Sequence, residues 1–270
     1  MRIGNKEFDL INKAYIMGIL NVTPDSFSDG GKWTKIDETL RHVETMINDG
    51  ASIIDIGGES TRPGYTKISE EEEISRVAPV IECIRKEFDI PLSVDTYKAK
   101  VADEAVKAGA NLVNDIWGFK GDERMATVVA GHNVPCCVMH NRDIEKKPYT
   151  SFLDDVKCDL SECIDIGKAA GVKMENIIVD PGIGFGKNLE HNLKLLNNLE
   201  ELKKQGFPVL LGASRKSVIG LTLDLPVEER LEGTIAITTL GVMKGCSIIR
   251  VHDVKENYRA LKMVEAILNQ

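Results

Sequence analysis

Short apolar runs alternate with longer amphipathic segments along the whole chain. Eight of these runs, rich in β-branched residues, have the length of buried strands and cover 14–22, 52–58, 92–96, 112–116, 135–140, 177–182, 209–214 and 247–252. Between them, apolar residues recur every three or four positions and acidic residues cluster in the first turns, as in helices. This alternation predicts an α/β protein with a parallel sheet.

Eight consecutive strand–helix units predict a sheet that closes into a (β/α)8 TIM barrel. A doubly wound open sheet is the alternative, because spacing alone does not prove closure. Residues 1–13 precede the repeating pattern, and we expect them to form a short hairpin that covers one end of the barrel. Since no linker or low-complexity tract interrupts residues 1–270, the sequence predicts one barrel domain.

Polar residues stand at or just after the C-terminal end of every predicted strand. They are Asn21; Glu59, Thr61 and Arg62; Asp95; Asn114 and Asp115; His140 and Asn141; Asp180; Arg215 and Lys216; and Arg250 and His252. One such residue alone could cap a helix, but charged groups buried at several strand ends are costly unless they are paired or bind a ligand. Barrel enzymes build their active sites at this end, so the set predicts an active site there.

A long polar loop, NVTPDSFSDGG at 21–31, follows the first strand. Turn chemistry explains its proline and glycines but not its length, since strand-to-helix connections usually have about 2–6 residues. The length of this loop indicates a function at the same end of the barrel.

The charges of the strand-end residues divide the predicted site into two parts. Asp95, Asn114 and Asp180 offer acceptors and an amide, which suit a guanidine-like ligand edge. Arg215, Lys216, Arg250 and His252 offer cationic donors at the ends of strands seven and eight, where barrels often bind phosphate. The expected ligand therefore combines a donor-rich heterocycle with an anionic tail.

Composition and charge narrow the class of protein further. A net charge of -8 and a pI near 5.3 argue against a nucleic-acid-binding surface. No apolar run approaches the roughly 20 residues of a membrane span, and the first ten residues contain no signal-peptide core. The six cysteines lack the short spacing of a zinc site, so we expect free thiols and a cytoplasmic protein.

Seven stretches resemble, in order, the motifs of the dihydropteroate synthase family. They are GILNVTPDSFSDGG, GGESTRPG, SVDT, NDI, DPGIGFGK, GASRKS and RVHDV. The resemblance covers nearly the whole chain, although Asn141 stands where many members have methionine. It implies a homodimeric enzyme of folate biosynthesis and a target of sulfonamides. This enzyme joins p-aminobenzoate to 6-hydroxymethyl-7,8-dihydropterin diphosphate with the aid of Mg²⁺ and releases diphosphate.

The resemblance also assigns residues to the substrates. Pterin diphosphate would be bound by Thr61, Arg62, Asp95, Asn114, Ile116, Met139, Asp180, Phe185, Lys216, Arg250 and His252. Contacts to p-aminobenzoate would come from Phe27, Pro63 and Ser217, and Asn21 would lie near the magnesium ion. The residues with expected catalytic roles are Asp95, Lys216, Arg250 and His252, which would favour a loose, SN1-like displacement of diphosphate.

Some residues allow simpler interpretations. Asp55 lies in the middle of a strand and is assigned a structural role inside the barrel, Asp115 could cap a helix, and the glycines of 180–187 suit a tight turn. Lys216 could be a Schiff-base lysine, although it lies among donors rather than in an apolar pocket. The segment 231–245 is apolar on nearly all sides, which predicts a dimer interface or, alternatively, a helix buried by its neighbours.

Two other functions remain open from the sequence. A pterin-binding methyltransferase domain would share the barrel and the Asp and Asn residues that bind the pterin, but would not need the anion site of Arg250 and His252. A non-catalytic pterin-binding module would not need residues for p-aminobenzoate, such as Phe27 and Ser217.

Overall fold

The computed structural model describes residues 1–22, 32–59 and 66–270. Their strands are β1 Arg2–Ile3, β2 Lys6–Glu7, β3 Tyr15–Asn21, β4 Ala51–Gly57, β5 Leu92–Asp95, β6 Leu112–Asp115, β7 Cys136–Met139, β8 Ile177–Asp180, β9 Leu210–Leu211 and β10 Ile248–Val251. Their helices are α1 Lys32–Asn48, α2 Glu70–Glu87, α3 Ala99–Ala108, α4 Met125–His132, α5 Phe152–Ala169, α6 Leu189–Leu196, α7 Glu200–Lys203, α8 Ser217–Leu223, α9 Leu231–Met243 and α10 Val254–Leu268. Each of the eight predicted strands overlaps one of β3–β10.

Strands β3 to β10 form one parallel sheet in the order β8-β7-β6-β5-β4-β3-β10-β9. The two ends of this order meet, because Val179 forms a parallel bridge with Val209 and its amide donates to the carbonyl of Pro208 over 2.9 Å. The sheet is therefore a (β/α)8 barrel, and the open-sheet alternative is wrong. Since β10 pairs with β3, the last and first barrel strands are neighbours.

The N-terminal residues form the predicted hairpin, in which β1 and β2 pair antiparallel. The side chains of Ile3, Phe8 and Leu10 enter the lower barrel interior and pack in one buried cluster with Met17, Ile53, Leu112, Cys137, Ile178, Leu210 and Ile248. Burial of this apolar cluster stabilises the barrel at its N-terminal end. A polar site is therefore confined to the C-terminal end.

A polar layer lies directly above this apolar cluster. Because side chains alternate along a strand, positions two residues apart face the same side. Two residues after Ile53, Leu112, Ile178 and Ile248 come Asp55, Asn114, Asp180 and Arg250. The strand periodicity therefore directs these four polar side chains into the barrel.

The helices cover the outer face of the barrel with the apolar side of each amphipathic pattern. Helix α2 begins after Ser69, whose hydroxyl accepts the amide of Glu72 over 3.1 Å, and four acidic residues occupy its first turn. The predicted apolar segment forms α9, in which Thr234 and Thr238 are buried while Ala236 and Met243 are exposed. No helix within the described ranges is long and apolar enough to cross a membrane.

Candidate active site

Arg250 is the centre of the polar layer. Its Nε donates to Asp55 Oδ2 over 2.5 Å, and its Nη2 donates to Asp95 Oδ2 over 2.6 Å. Asn114 Nδ2 donates to the same Asp55 oxygen over 3.1 Å. Although burial opposes the charge, the two carboxylates raise the pKa of Arg250 above its ordinary value. Four strands thus contribute one connected network of charged and amide groups.

The carboxylates of this network retain unused hydrogen-bonding capacity. Asp55 Oδ1 and Asp95 Oδ1 are both buried and have no hydrogen-bond partner in the described structure. Burial raises the pKa of Asp95 to about 7, although Arg250 partly opposes the shift. A buried acceptor without a donor costs about 1–3 kcal/mol. The two oxygens therefore suit a ligand that brings N–H donors into the barrel.

Asp180 and Lys216 lie on the other side of the barrel mouth. Asp180 Oδ1 accepts the amide of Gly182 over 2.7 Å, and burial raises the pKa of Asp180 while the charge of Lys216 opposes the shift. Lys216 Nζ donates to the carbonyl of Ile183 over 2.6 Å and lies 4.6 Å from the ring centroid of Phe185. Burial lowers the pKa of Lys216 to about 8, so it remains an ammonium group at pH 7.

The predicted apolar walls follow neighbouring strands. Ile116 lies just after β6, Met139 ends β7, and both are buried, whereas Phe185 is half-buried in the loop after β8. Met139 is also in register with Asp180. Apolar side chains therefore flank the acidic groups at this part of the mouth.

The predicted anion site lies where β10 and β3 end. His252 donates its backbone amide to Ser214 Oγ over 3.2 Å, and its Nδ1 lies 3.0 Å from the same oxygen. Asn21 is exposed at the end of β3, in register with Gly57 of β4. Arg215, counted above among the strand-end residues, donates its Nε to Asp253 over 2.9 Å. That ion pair engages its charge outside the network of Arg250.

The strand ends fit a magnesium ion with few protein ligands. Among the residues that the structure describes, no three His, Cys, Asp or Glu side chains form a group that could hold a metal ion. Mg²⁺ commonly binds through one or two protein oxygens together with phosphates and water, so no such group is required. The exposed amide of Asn21 carries an oxygen of the suitable type at this end of the barrel.

Several predicted contacts lie outside the described residues. They are Phe27, Thr61, Arg62 and Pro63. The roles assigned to them stay predictions. Ser217 is described, and it is exposed as the first residue of α8, directly after Lys216.

A second buried network was not recognised from the sequence. Lys187 Nζ donates to the carbonyls of Gly182 and Phe185 over 2.8 and 2.9 Å and lies 2.8 Å from His140 Nδ1. His140 Nε2 lies 3.1 Å from Asp159 of α5, so this strand-end histidine is turned away from the network of Arg250. Lys187 thereby fixes the loop that carries Phe185. The lysine that closes GFGK was the only sequence signal for this role.

The simpler interpretations of single residues have different outcomes. Asp115 does not cap α4, which begins at Met125; it is buried and accepts the amides of Trp117 and Phe119 over 2.8 and 2.6 Å, so it shapes the loop after β6. The glycines at 182, 184 and 186 have φ angles of 67°, 85° and 57°, as the predicted tight turn requires. Asp55 has the structural role inside the barrel that its mid-strand position predicts, since it is fully buried and holds the guanidinium of Arg250.

The closed barrel and the polar layer at its C-terminal end define a pterin-binding enzyme. Residues 17–252 match the pterin binding enzyme family. The match spans β3 to β10 and includes every residue of the network around Arg250.

Similarity over the full chain specifies the family further. The chain is 62% identical to a dihydropteroate synthase of Clostridium beijerinckii over 100% of both proteins, and 59% identical to that of Bacillus subtilis over 96% of this chain and 90% of the relative. It belongs to the dihydropteroate synthase family. A crystal structure of the dihydropteroate synthase from Clostridium difficile with pteroic acid has a TM-score of 0.93 and 49% identity, covering 98% of this chain and 100% of that one.

A second structure extends the similarity to an inhibitor complex. The Yersinia pestis dihydropteroate synthase, solved with a sulfonamide drug complex, has a TM-score of 0.92 and 42% identity over 100% of this chain and 99% of that one. These relatives support the synthase interpretation. They do not support a methyltransferase domain or a non-catalytic pterin-binding module.

Proposed function

We propose that this protein is an alkyl-group transferase that condenses p-aminobenzoate with 6-hydroxymethyl-7,8-dihydropterin diphosphate to give 7,8-dihydropteroate and diphosphate. The observation that carries this proposal is the acidic layer of Asp55, Asp95 and Asp180, whose unpaired buried oxygens on Asp55 and Asp95 suit a heterocycle rich in N–H donors. The dihydropteroate synthases that share this fold support the same reaction.

In this proposal, Asp95, Asn114 and Asp180 bind the donor edge of the pterin, and Lys216 donates to its carbonyl side. The guanidinium of Arg250 donates to Asp95, so it competes with the pterin for that carboxylate. Binding of the pterin at Asp95 releases one side of Arg250, and the diphosphate of the substrate offers it a new anionic partner. Arg250 then donates hydrogen bonds to the diphosphate leaving group.

In this proposal Arg250 and His252 bind the leaving diphosphate, and Asn21 would hold Mg²⁺. When bound, the ion would supply neutralisation of the charge on diphosphate. The methylene–oxygen bond breaks with its electron pair on diphosphate, while Arg250 and His252 donate hydrogen bonds to the charge that develops there. The arylamine then forms the new carbon–nitrogen bond and releases its proton to water. An arylamine is neutral at pH 7, so this SN1-like displacement does not need a strong base.

Residues of the neighbouring loops complete the proposed site. Ser217, exposed beside Lys216 at the start of α8, contacts p-aminobenzoate together with Phe27 and Pro63. Thr61 and Arg62 follow β4 and contact the pterin diphosphate. These assignments rest on the motifs that carry the residues.

The reaction is tested by diphosphate release from the wild-type protein, followed together with the formation of dihydropteroate. We expect release to require both p-aminobenzoate and Mg²⁺. Chelation with EDTA should reduce it by about 100-fold or more, and added Mg²⁺ should restore it, because several kcal/mol of charge stabilisation depend on the ion. Release without p-aminobenzoate would indicate a hydrolase, and tight pterin binding without release would indicate a binding module. Either result would contradict the proposal.

We also propose that α9 forms a homodimer interface. Its exposed residues include Ala236 and Met243, and the neighbouring helix α8 exposes Leu221 and Leu223, of which Leu223 lies next to Gly233 of α9. Several exposed apolar side chains on two neighbouring helices are typical of a protein–protein contact.

Substitution of Ala236 by glutamate should convert this dimer into a monomer in sedimentation velocity, because a charge would be buried without a partner. The matched control is Ala169→Glu, on the exposed end of α5. A wild-type monomer, or a dimer that persists in Ala236→Glu, would contradict the proposed interface.

We further propose that the protein functions in the cytoplasm, which is a reducing compartment. All six cysteines are free, and four of them, Cys136, Cys137, Cys163 and Cys246, are buried. Free buried thiols are typical of proteins that function where disulfides do not persist.

A further inference from the structure

We propose that Ser214 is a positioning residue for His252, and that its hydroxyl group determines which nitrogen of the imidazole carries the hydrogen. The inference rests on the proposed role of His252 at the diphosphate. It assigns a function to a buried serine between β9 and α8 that none of the motif-based assignments above includes.

The geometry around Ser214 limits where its hydroxyl hydrogen can lie. Ser214 Oγ accepts the backbone amide of His252 over 3.2 Å and lies 3.0 Å from His252 Nδ1. Within the described part of the chain, Ser214 Oγ has hydrogen bonds to His252 alone. One lone pair of the oxygen is therefore occupied by the amide, and Nδ1 is the acceptor left for the hydroxyl hydrogen.

A hydroxyl that donates to Nδ1 leaves that nitrogen without a hydrogen of its own. The neutral imidazole then carries its hydrogen on Nε2, because exactly one ring nitrogen is a donor in this form. Nε2–H is a hydrogen-bond donor for an oxygen of the diphosphate. Ser214 thus prepares His252 for an anion before the ligand arrives, and its contact with Nδ1 restricts the ring orientation.

The tautomer is measurable in the free protein by ¹⁵N NMR of labelled histidine, at a pH about two units above the usual histidine pKa. His252→Ala identifies the signals. We expect wild-type His252 to show an unprotonated Nδ1 and a protonated Nε2. Ser214→Ala should shift both ¹⁵N signals toward a mixture of tautomers, and Ser214→Thr, which keeps the hydroxyl, should restore the wild-type spectrum.

The same variants are then compared in steady-state turnover. Ser214→Ala should raise KM for dihydropterin diphosphate by about 5–10-fold, as the loss of an oriented hydrogen bond predicts. Its affinity for 6-hydroxymethyl-7,8-dihydropterin, which lacks the diphosphate, should be unchanged. Ser214→Thr should remain close to wild type in both measurements.

The two possible failures are distinguishable. A protonated Nδ1 in the wild type, or an unchanged His252 spectrum in Ser214→Ala, would overturn the role of Ser214. Unchanged affinity for dihydropterin diphosphate in His252→Ala would instead overturn the proposed role of His252 in binding the anion.

Discussion

Lys216→Ala is expected to lower kcat/KM by about 100- to 1,000-fold without unfolding the barrel. The substitution removes a charge-assisted donor from the pterin carbonyl, a bond worth about 1.5–3 kcal/mol. It also leaves the buried carboxylate of Asp180 without the nearby cation that opposes its raised pKa. Both effects weaken binding of the pterin in the transition state. The loss in kcat/KM should therefore exceed that of a single hydrogen bond.

The measurement is steady-state diphosphate release with near-ultraviolet circular dichroism as a check of folding. Lys255→Ala, at an exposed position of α10, is the matched control and should be indistinguishable from wild type. A decrease of less than about fivefold, which corresponds to about 1 kcal/mol, would contradict the proposed role of Lys216.

The pH dependence of kcat/KM gives a second test of the same residue. The pKa of Lys216 is lowered to about 8 by burial, so its ammonium form predominates below this pH and is lost as the pH rises through it. We therefore expect kcat/KM to fall above about pH 8, because this parameter reports ionisations of the free enzyme. In Lys216→Arg the guanidinium stays charged, and the decrease should disappear from the measurable range. The same decrease in both proteins would exclude Lys216 as its origin.

Asp55→Ala is expected to lower the free energy of unfolding by about 3–5 kcal/mol. Asp55 is fully buried and binds both Arg250 and Asn114 through one oxygen. Its removal leaves the guanidinium with Asp95 as its remaining carboxylate partner in the described network. The Arg250 side chain is 18% exposed, so only limited water can replace the lost carboxylate, and the loss should resemble that of a broken buried ion pair.

Denaturant unfolding of the ligand-free protein measures this change. Asp154→Ala, which removes an exposed carboxylate paired with Lys157, is the surface control and should leave the midpoint unchanged. The double variant Asp55→Ala/Arg250→Leu removes both charges and should recover much of the loss. A midpoint for Asp55→Ala equal to that of wild type would show that Arg250 does not depend on Asp55.

The fold was predictable from the sequence because its signals are local and repeated. Each buried strand is an apolar run, each helix shows its own periodicity, and right-handed crossovers leave few arrangements for eight such units. The eight units predicted closure, but their spacing did not prove it, since the pairing of Val179 with Val209 depends on strand tilt and not on residue type. The N-terminal hairpin was predictable because residues 1–13 precede the repeating pattern. Their apolar side chains are buried only if they pack against the barrel.

The site was only partly predictable. Asp95, Asn114 and Asp180 stand at strand ends, where barrel enzymes build their active sites, so the sequence identified them as candidates. Asp55 lies two residues before the end of its strand, so its position predicted a structural role, but only the register identified Arg250 as its partner. Lys187 closes the GFGK motif, but the motif did not specify its three contacts, because these depend on how the turn folds back over His140.

The linear order of residues therefore determined the α/β class, the number of strands, the end of the barrel that carries the site and the family. These features follow from periodicity and from motifs, which are properties of short stretches. The tertiary structure alone decided which charges meet. Arg250 and Asp55 are 195 residues apart in sequence, yet the barrel brings their side chains to 2.5 Å. Such a contact depends on strand register and closure, because a shift of one residue would turn either side chain to the opposite face of the sheet.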